Sequence, residues 1–267
     1  MRRYFKKLFA NPLVRSLDID SKEAIIIHRR IIKENPLLNK HYRFIYQYFK
    51  RIEDSLSDLD FPSLEIGSGG GFLKEFLPTV ITSDVVGLEG IDRIENATSL
   101  TFADNSLKAI YANGALHHIK EPGICLEEIQ RVLVPTGIFV CNEPSTSFFG
   151  YFMNKHFHNE YTNKFVKEWK IQVTDNHSRL TDANMALPYI MFQRDINLFL
   201  KRFKDLKILS IIYHDFLRYT LSGGLSYKPL IPRILYRAVD YIEMVSKPLM
   251  SLLGNNMLVT IQKIKSQ

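Results

Sequence analysis

The chain has 267 residues, 46% of them hydrophobic and 24% charged, which is the composition of a globular protein with room for a large core. Two cysteines, Cys125 and Cys141, stand in unlike contexts and give neither a disulfide framework nor a metal-ligand spacing, so a reducing cytoplasm is expected. No run approaches the ~18 apolar residues of a membrane span, and the N-terminal stretch lacks the apolar core and small-residue cleavage site of a secretory signal. The net charge of +7 is uneven: residues 1–50 hold 12 Lys/Arg and four acids, a local +8 that leaves −1 for the rest. Such an arm can meet nucleic acid, anionic lipid or an anionic substrate, and more often it is a solvated helical face.

Residues 1–10 put Tyr4, Phe5, Leu8 and Phe9 on one helical face with Arg2, Arg3, Lys6 and Lys7 elsewhere. This short basic amphipathic segment could rest on a membrane surface, and packing on the domain is the favoured alternative. Asn11-Pro12 ends it. Residues 22–34 and 41–53 read as helices, the second through Tyr42, Ile45, Tyr46 and Phe49.

The organising stretch is Ser63-Leu64-Glu65-Ile66-Gly67-Ser68-Gly69-Gly70-Gly71, an apolar run that ends on a glycine turn. Phe72, Phe76 and Leu77 then have helical spacing, so strand, turn and helix are expected as the first unit of a doubly wound α/β sheet. The dinucleotide fingerprint needs a third glycine at position 72, which is Phe. Val80 to Ser83 reads as the second strand, with Asp84 after it placed to receive a ribose diol or merely to cap a loop. Only residues 85–91, with Gly87 and Gly90, precede a third strand at 92–95, too few for a crossover helix, so that helix is expected to be missing. Residues 109–112 form the fourth strand, followed by Asn113-Gly114-Ala115-Leu116-His117-His118. A helix at 124–133 and a fifth strand at 138–141 lead to Asn142-Glu143-Pro144. Strands six and seven fall at 207–213 and 257–261, the last antiparallel. An amphipathic helix at 233–247 precedes the seventh, with Ile234, Leu235, Ala238, Val239, Ile242 and Val245 on one face, as a packed cap or an acceptor wall.

Glu65-x-Gly67-x-Gly69-x-Gly71 resembles motif I of the class I S-adenosylmethionine (SAM) methyltransferases of small-molecule type. The resemblance extends through Asn96-Ala97-Thr98-Ser99-Leu100-Thr101-Phe102, the Leu-His-His run and Arg131-Val132-Leu133-Val134-Pro135-Thr136-Gly137, in family order, over about 80 residues. It implies a Rossmann-like, doubly wound, seven-stranded mixed sheet, SAM as cofactor and methyl donor, and a methyltransferase activity. The implied cofactor contacts are Glu65, Gly67, Ser68, Gly69, Gly71, Asp84, Asn96, Ala97, Asn113 and His118. Asn96 stands where the family has an acid that reads adenine, and Val134 and Thr136 depart from the family's turn.

The chain divides as an N-terminal helical segment (1–60), a SAM-binding core (61–144) and acceptor-cap insertions with the last two strands (145–267), all of one domain. Within the insertion at 145–203, His156, His158 and Glu160 alternate and would share a face on a strand; a polar lid surface ranks first, acceptor binding second and a metal last, so no metal is expected. His118, Glu143, His156 and His158 are candidates for a general base, each equally readable as structural. The aromatics Phe148, Phe149, Tyr151, Phe152, Trp169, Tyr189 and Phe192 suggest a closed pocket. The first expectation is methyl transfer to a small-molecule acceptor, free or linked to a lipid or glycan. RNA or DNA methylation is the second reading, disfavoured because Asn113-Gly114-Ala115-Leu116 replaces the motif of base-modifying enzymes. A non-catalytic SAM-binding or scaffold protein is the third.

Overall fold

The computed structural model describes residues 9–15, 17, 21–158, 160–171 and 182–264. The basic segment at 1–10 falls almost entirely outside them. Helices α1 (Lys22–Glu34) and α2 (Pro36–Ser55) come first. Ser21 caps α1, accepting from the Ala24 N–H. Asn35 caps α2 with Pro36 in its first turn, so α2 begins five residues before its expected start.

Seven strands follow: β1 (Ser63–Ile66), β2 (Ile81–Asp84), β3 (Arg93–Ile94), β4 (Leu107–Asn113), β5 (Leu133–Pro144), β6 (Leu206–His214) and β7 (Asn256–Lys263). They form one sheet in the order β3-β2-β1-β4-β5-β7-β6. The pairs from β3 to β5 are parallel, and β7 runs antiparallel to both β5 and β6. This is the expected doubly wound mixed sheet. No helix joins β2 to β3, also as expected, and β3 shrinks to two exposed residues.

Alternation along the strands supplies a core to each face. Leu64, Ile66, Ile110, Ala112, Phe139, Cys141 and Val259 point to one layer, where α3 (Pro122–Val132) contributes Cys125, Leu126 and Ile129. Ala109, Tyr111, Ile138, Val140 and Leu258 point to the other, where α1 and α2 contribute Ile31, Ile45, Tyr46 and Phe49.

The local structure departs from expectation after the glycine turn. The glycine turn is followed by a single 3-10 turn, Leu73–Glu75, and not by a helix. Pro78 stands too close behind it for a helix to grow, because proline disfavours helical geometry in the preceding residue and supplies no N–H. Phe72 is instead buried against Tyr42 and Tyr46. The segment around His156 is helical, α4 (Phe148–His156), so the alternation of His156, His158 and Glu160 is not that of a strand.

Beyond α4, a π-helical turn at Ile190–Arg194 leads into α5 (Ile196–Arg202), and α6 (Arg218–Ser222), α7 (Tyr236–Val245) and α8 (Met250–Leu253) follow. α7 turns a different face inward from the one expected. Val239, Glu243, Ser246 and Met250 are buried at helical spacing, while Ile234, Leu235, Ile242 and Val245 are exposed. The inward choice follows from Glu243, whose carboxylate accepts the N–H groups of Phe216, Leu217 and Arg218 at the start of α6.

Candidate active site

The carboxyl ends of β1, β2, β4 and β5 converge at one edge of the sheet, which is where α/β sheets place their ligands. Gly67 has φ +66° and Gly69 φ +45°, the left-handed region that L-residues enter at a cost. A Cβ on Gly67 would lie 2.7 Å from the Ala115 Cβ, so the glycine turn and the turn after β4 touch. A Cβ on Gly69 would meet nothing nearer than 3.9 Å, which leaves that side of the loop open. Gly71 lies under the Tyr46 hydroxyl, which accepts the Phe72 N–H.

Polar groups around the loop are mutually tied. Ser68 Oγ donates to Glu65 Oε2 at 2.6 Å, and the Ser68 N–H donates to the Ser83 carbonyl. Asp84 accepts from the Gly69 N–H at 2.9 Å through one oxygen and from the Val86 N–H through the other. A carboxylate has about four acceptor positions, so Asp84 retains capacity for a diol. Glu65 is fully buried, and burial pushes its carboxyl up to about 7, against the hydrogen bond from Ser68 and the charge of Arg29. α1 lies across this loop: a Cβ on Gly70 would come within 2.9 Å of the Arg29 nitrogen. Arg29 was not anticipated, because nothing in its local sequence marks it as facing the loop.

Asn96 closes a turn. Its amide oxygen accepts from both the N–H and the hydroxyl of Thr98. Ala97 packs against the core beside it. Asn113 Oδ1 accepts from Asn142 Nδ2 at 2.9 Å, and Asn142 in turn contacts His214 Nε2 at 2.7 Å, linking the ends of β4, β5 and β6.

A second constellation stands after β4. Glu143, fully buried near the end of β5, accepts from the N–H groups of Ala115, Leu116 and His117 and lies 2.6 Å from His117 Nδ1. His117 Nε2 lies 3.3 Å from Glu160 Oε2. Burial would lower the His117 pKa, but the carboxylates of Glu143 and Glu160 outweigh it and raise it to about 10. Burial and the His117 charge push His118 down to about 4. Glu160 is held well below the usual carboxylate range: burial opposes this, and His158, His117 and His118 overcome it. His158 and Glu160 thus join the candidates His118 and Glu143. His156 does not; it is exposed at the end of α4 with its ring against Phe152.

The aromatics of the insertion do not form one pocket. Phe192 is in the core, Trp169 and Tyr189 pack against it, and Phe148 and Phe152 are exposed.

Residues 64–141 match the family model described as a methyltransferase domain. This segment is a methyltransferase domain. The sequence matches no curated protein. Among solved structures, the chain is similar to geranyl diphosphate C-methyltransferase from Streptomyces coelicolor, at 12% identity over 96% of this chain and 87% of that one, TM-score 0.49. It is also similar to a possible histamine N-methyltransferase from Thermotoga maritima, at 16% identity over 89% and 98%, TM-score 0.46. The methyltransferase segment spans every strand from β1 to the middle of β5, and hence both turns that meet at Gly67 and Ala115.

Proposed function

We propose that this methyltransferase modifies a small apolar acceptor held at a lipid surface. On the cofactor side, Glu65 takes the ammonium of SAM, Arg29 its carboxylate, Asp84 the ribose diol, and the open side of Gly69 the ligand backbone. Ala97 flanks the adenine and His118 faces the transferable methyl. SAM supplies an activated methyl group; the protein aligns the two partners and excludes water.

This assignment carries a pH dependence. Glu65 pairs with an ammonium only when ionised, and its pKa in the free protein is raised to about 7. SAM affinity should therefore rise with pH up to about 7, by as much as tenfold per unit, and fall again once the ligand's own amine loses its proton near about 8. Calorimetry from pH 5 to 8 should show this limb in the wild type and its loss in Glu65→Gln. A wild-type affinity that is flat below pH 7 would remove Glu65 from the ammonium site.

The observation that carries the acceptor is the outward face of residues 234–252. Ile234 (86% exposed), Leu235, Tyr241, Met244, Val245, Leu249 and Leu252 all face solvent. Arg233, Arg237 and Lys247 are interspersed, while the nearby acids are engaged: Asp240 with Lys40 and Arg218, Glu243 with the start of α6. α8 packs on α4, which adds exposed Phe148 and Phe152. Apolar residues rimmed by cations suit an anionic bilayer. A membrane contact, weighed for residues 1–10 and ranked there behind packing on the domain, is here proposed for this face. No helix among the described residues is long and apolar enough to cross a membrane.

The test is flotation with phosphatidylglycerol and phosphatidylcholine vesicles, followed by transfer of labelled methyl from SAM into a lipid extract. Binding to the anionic vesicles and label in the organic phase are expected. Ile234→Ser with Leu249→Ser should weaken vesicle binding roughly tenfold with little change in melting temperature, since both side chains are exposed. Label confined to RNA, or vesicle binding that ignores the double substitution, would overturn the reading.

A further inference from the structure

We propose that His117, His118 and Glu160 form a binding site for one divalent transition-metal ion of the zinc type, with Glu143 orienting His117 from behind. The ligand atoms of the three residues all lie within 4.8 Å of one another. His117 Nε2 is 3.3 Å from one Glu160 oxygen and His118 Nε2 is 3.9 Å from the other. Two ligands bound to a tetrahedral ion at about 2.0–2.1 Å are about 3.3 Å apart, so closing the set takes only small side-chain movements.

The rings are also aimed. Each of the two imidazoles has its Nδ1 against an acceptor: Glu143 Oε2 at 2.6 Å for His117, and the Asp182 carbonyl at 3.3 Å for His118. An acceptor at Nδ1 holds a proton there, so a metal ion would take the Nε2 position, displacing the proton that His117 carries at that nitrogen, on the side that faces Glu160. A buried carboxylate behind a ligating histidine is the outer-shell arrangement that orients metal ligands. Glu143 cannot itself be drawn off to a metal cheaply, because it also holds three backbone N–H groups.

Two imidazoles and one carboxylate select zinc-like ions over magnesium or calcium, which prefer oxygen. Three protein ligands leave a fourth position open, and the His118 and Glu160 side chains are each about a quarter exposed. The cluster follows directly on the turn at Ala115 that touches the glycine loop. An ion there would hold an acceptor's oxygen beside the donor and lower its pKa, a role that rests on the methyltransferase reading. Neither the spacing of His158 and Glu160 nor that of His117 and His118 announces such a site, because it is assembled across 43 residues.

The experiment is titration of chelator-treated full chain with ZnCl2 by calorimetry and with CoCl2 by visible absorption. One ion per chain is expected, with affinity reduced at least about tenfold in His118→Ala and separately in Glu160→Gln. Circular dichroism establishes that both variants are folded. SAM affinity is measured on the Glu160→Gln variant: metal lost with SAM retained supports a site of its own. Absence of stoichiometric binding by the wild type would show a purely protonic network and overturn the proposal. Undiminished binding by both variants would do the same, placing the ion elsewhere, as at the buried His41, His214 and Asp215. Zinc binding by a chain that takes no SAM would support the metal site while overturning the cofactor assignment.

Discussion

Gly67→Val is expected to lower SAM affinity by roughly 100-fold or more. A left-handed conformation costs an L-residue about 1–2 kcal/mol, and more when it is β-branched. Gly67 has φ +66°, and its Cβ would approach the Ala115 Cβ to 2.7 Å, well inside contact distance. Relief of that clash must move either the glycine turn or the turn after β4, and both bound the proposed cofactor site. A loss of about 3 kcal/mol corresponds to the stated factor. Gly69→Ala is the comparison: φ is also positive, but the space beside it is open, so a loss nearer tenfold is expected. Calorimetry with SAM on variants shown to be folded measures both. Gly67→Val binding within a few-fold of wild type would mean that the loop does not hold the cofactor.

Glu143→Ala should be the most destabilising single change in the site. One buried carboxylate accepts three backbone N–H groups and faces His117 Nδ1. Removing it leaves those donors without partners and a protonated imidazole without its main counter-charge. Breaking a buried pair on one side costs about 3–5 kcal/mol, against a total stability of about 5–15 kcal/mol. At about 2–4 °C per kcal/mol for a chain of this size, the melting temperature should fall by roughly 10 °C. Glu143→Gln should lose about half as much, because its carbonyl oxygen still accepts while its NH2 cannot. Thermal melts of the two variants check the order. Equal melting of wild type and Glu143→Ala would show that the turn at 115–117 is held by other contacts.

The parts of this molecule that were legible in the sequence are those set by neighbours in the chain. The glycines at 67, 69 and 71 declare a sharp turn, and the short 85–91 segment rules out a crossover helix. All seven strands fall within a few residues of their expected places. What failed turned on a helix breaker close by or on partners far along the chain. Helical spacing at Phe72, Phe76 and Leu77 was real, but Pro78 cut the helix short and the aromatic rings of α2 captured Phe72. Periodicity in α7 shows which residues share a face and not which face looks inward; that was decided by Glu243 meeting three N–H groups some 25 residues earlier. His117 and His118 were visible as a pair, but Glu160 and the Asp182 carbonyl reach them from 43 and 64 residues away and leave no local trace.

The place of β7 has a consequence for how the chain is made. β6 pairs with β7 alone, and β7 lies between β5 and β6. During synthesis, β5 emerges with one edge bare and β6 emerges with nothing to join, and both wait until residues 256–263 leave the ribosome. The parallel half, β1 to β5, can pair earlier. Over the intervening 111 residues, at about 5–20 residues per second, the open β5 edge persists for roughly 6–20 s. Bare strand edges recruit other strands. Until that moment the β5 edge is the part of the nascent sheet most open to pairing with a foreign strand, and one late strand closes it from within.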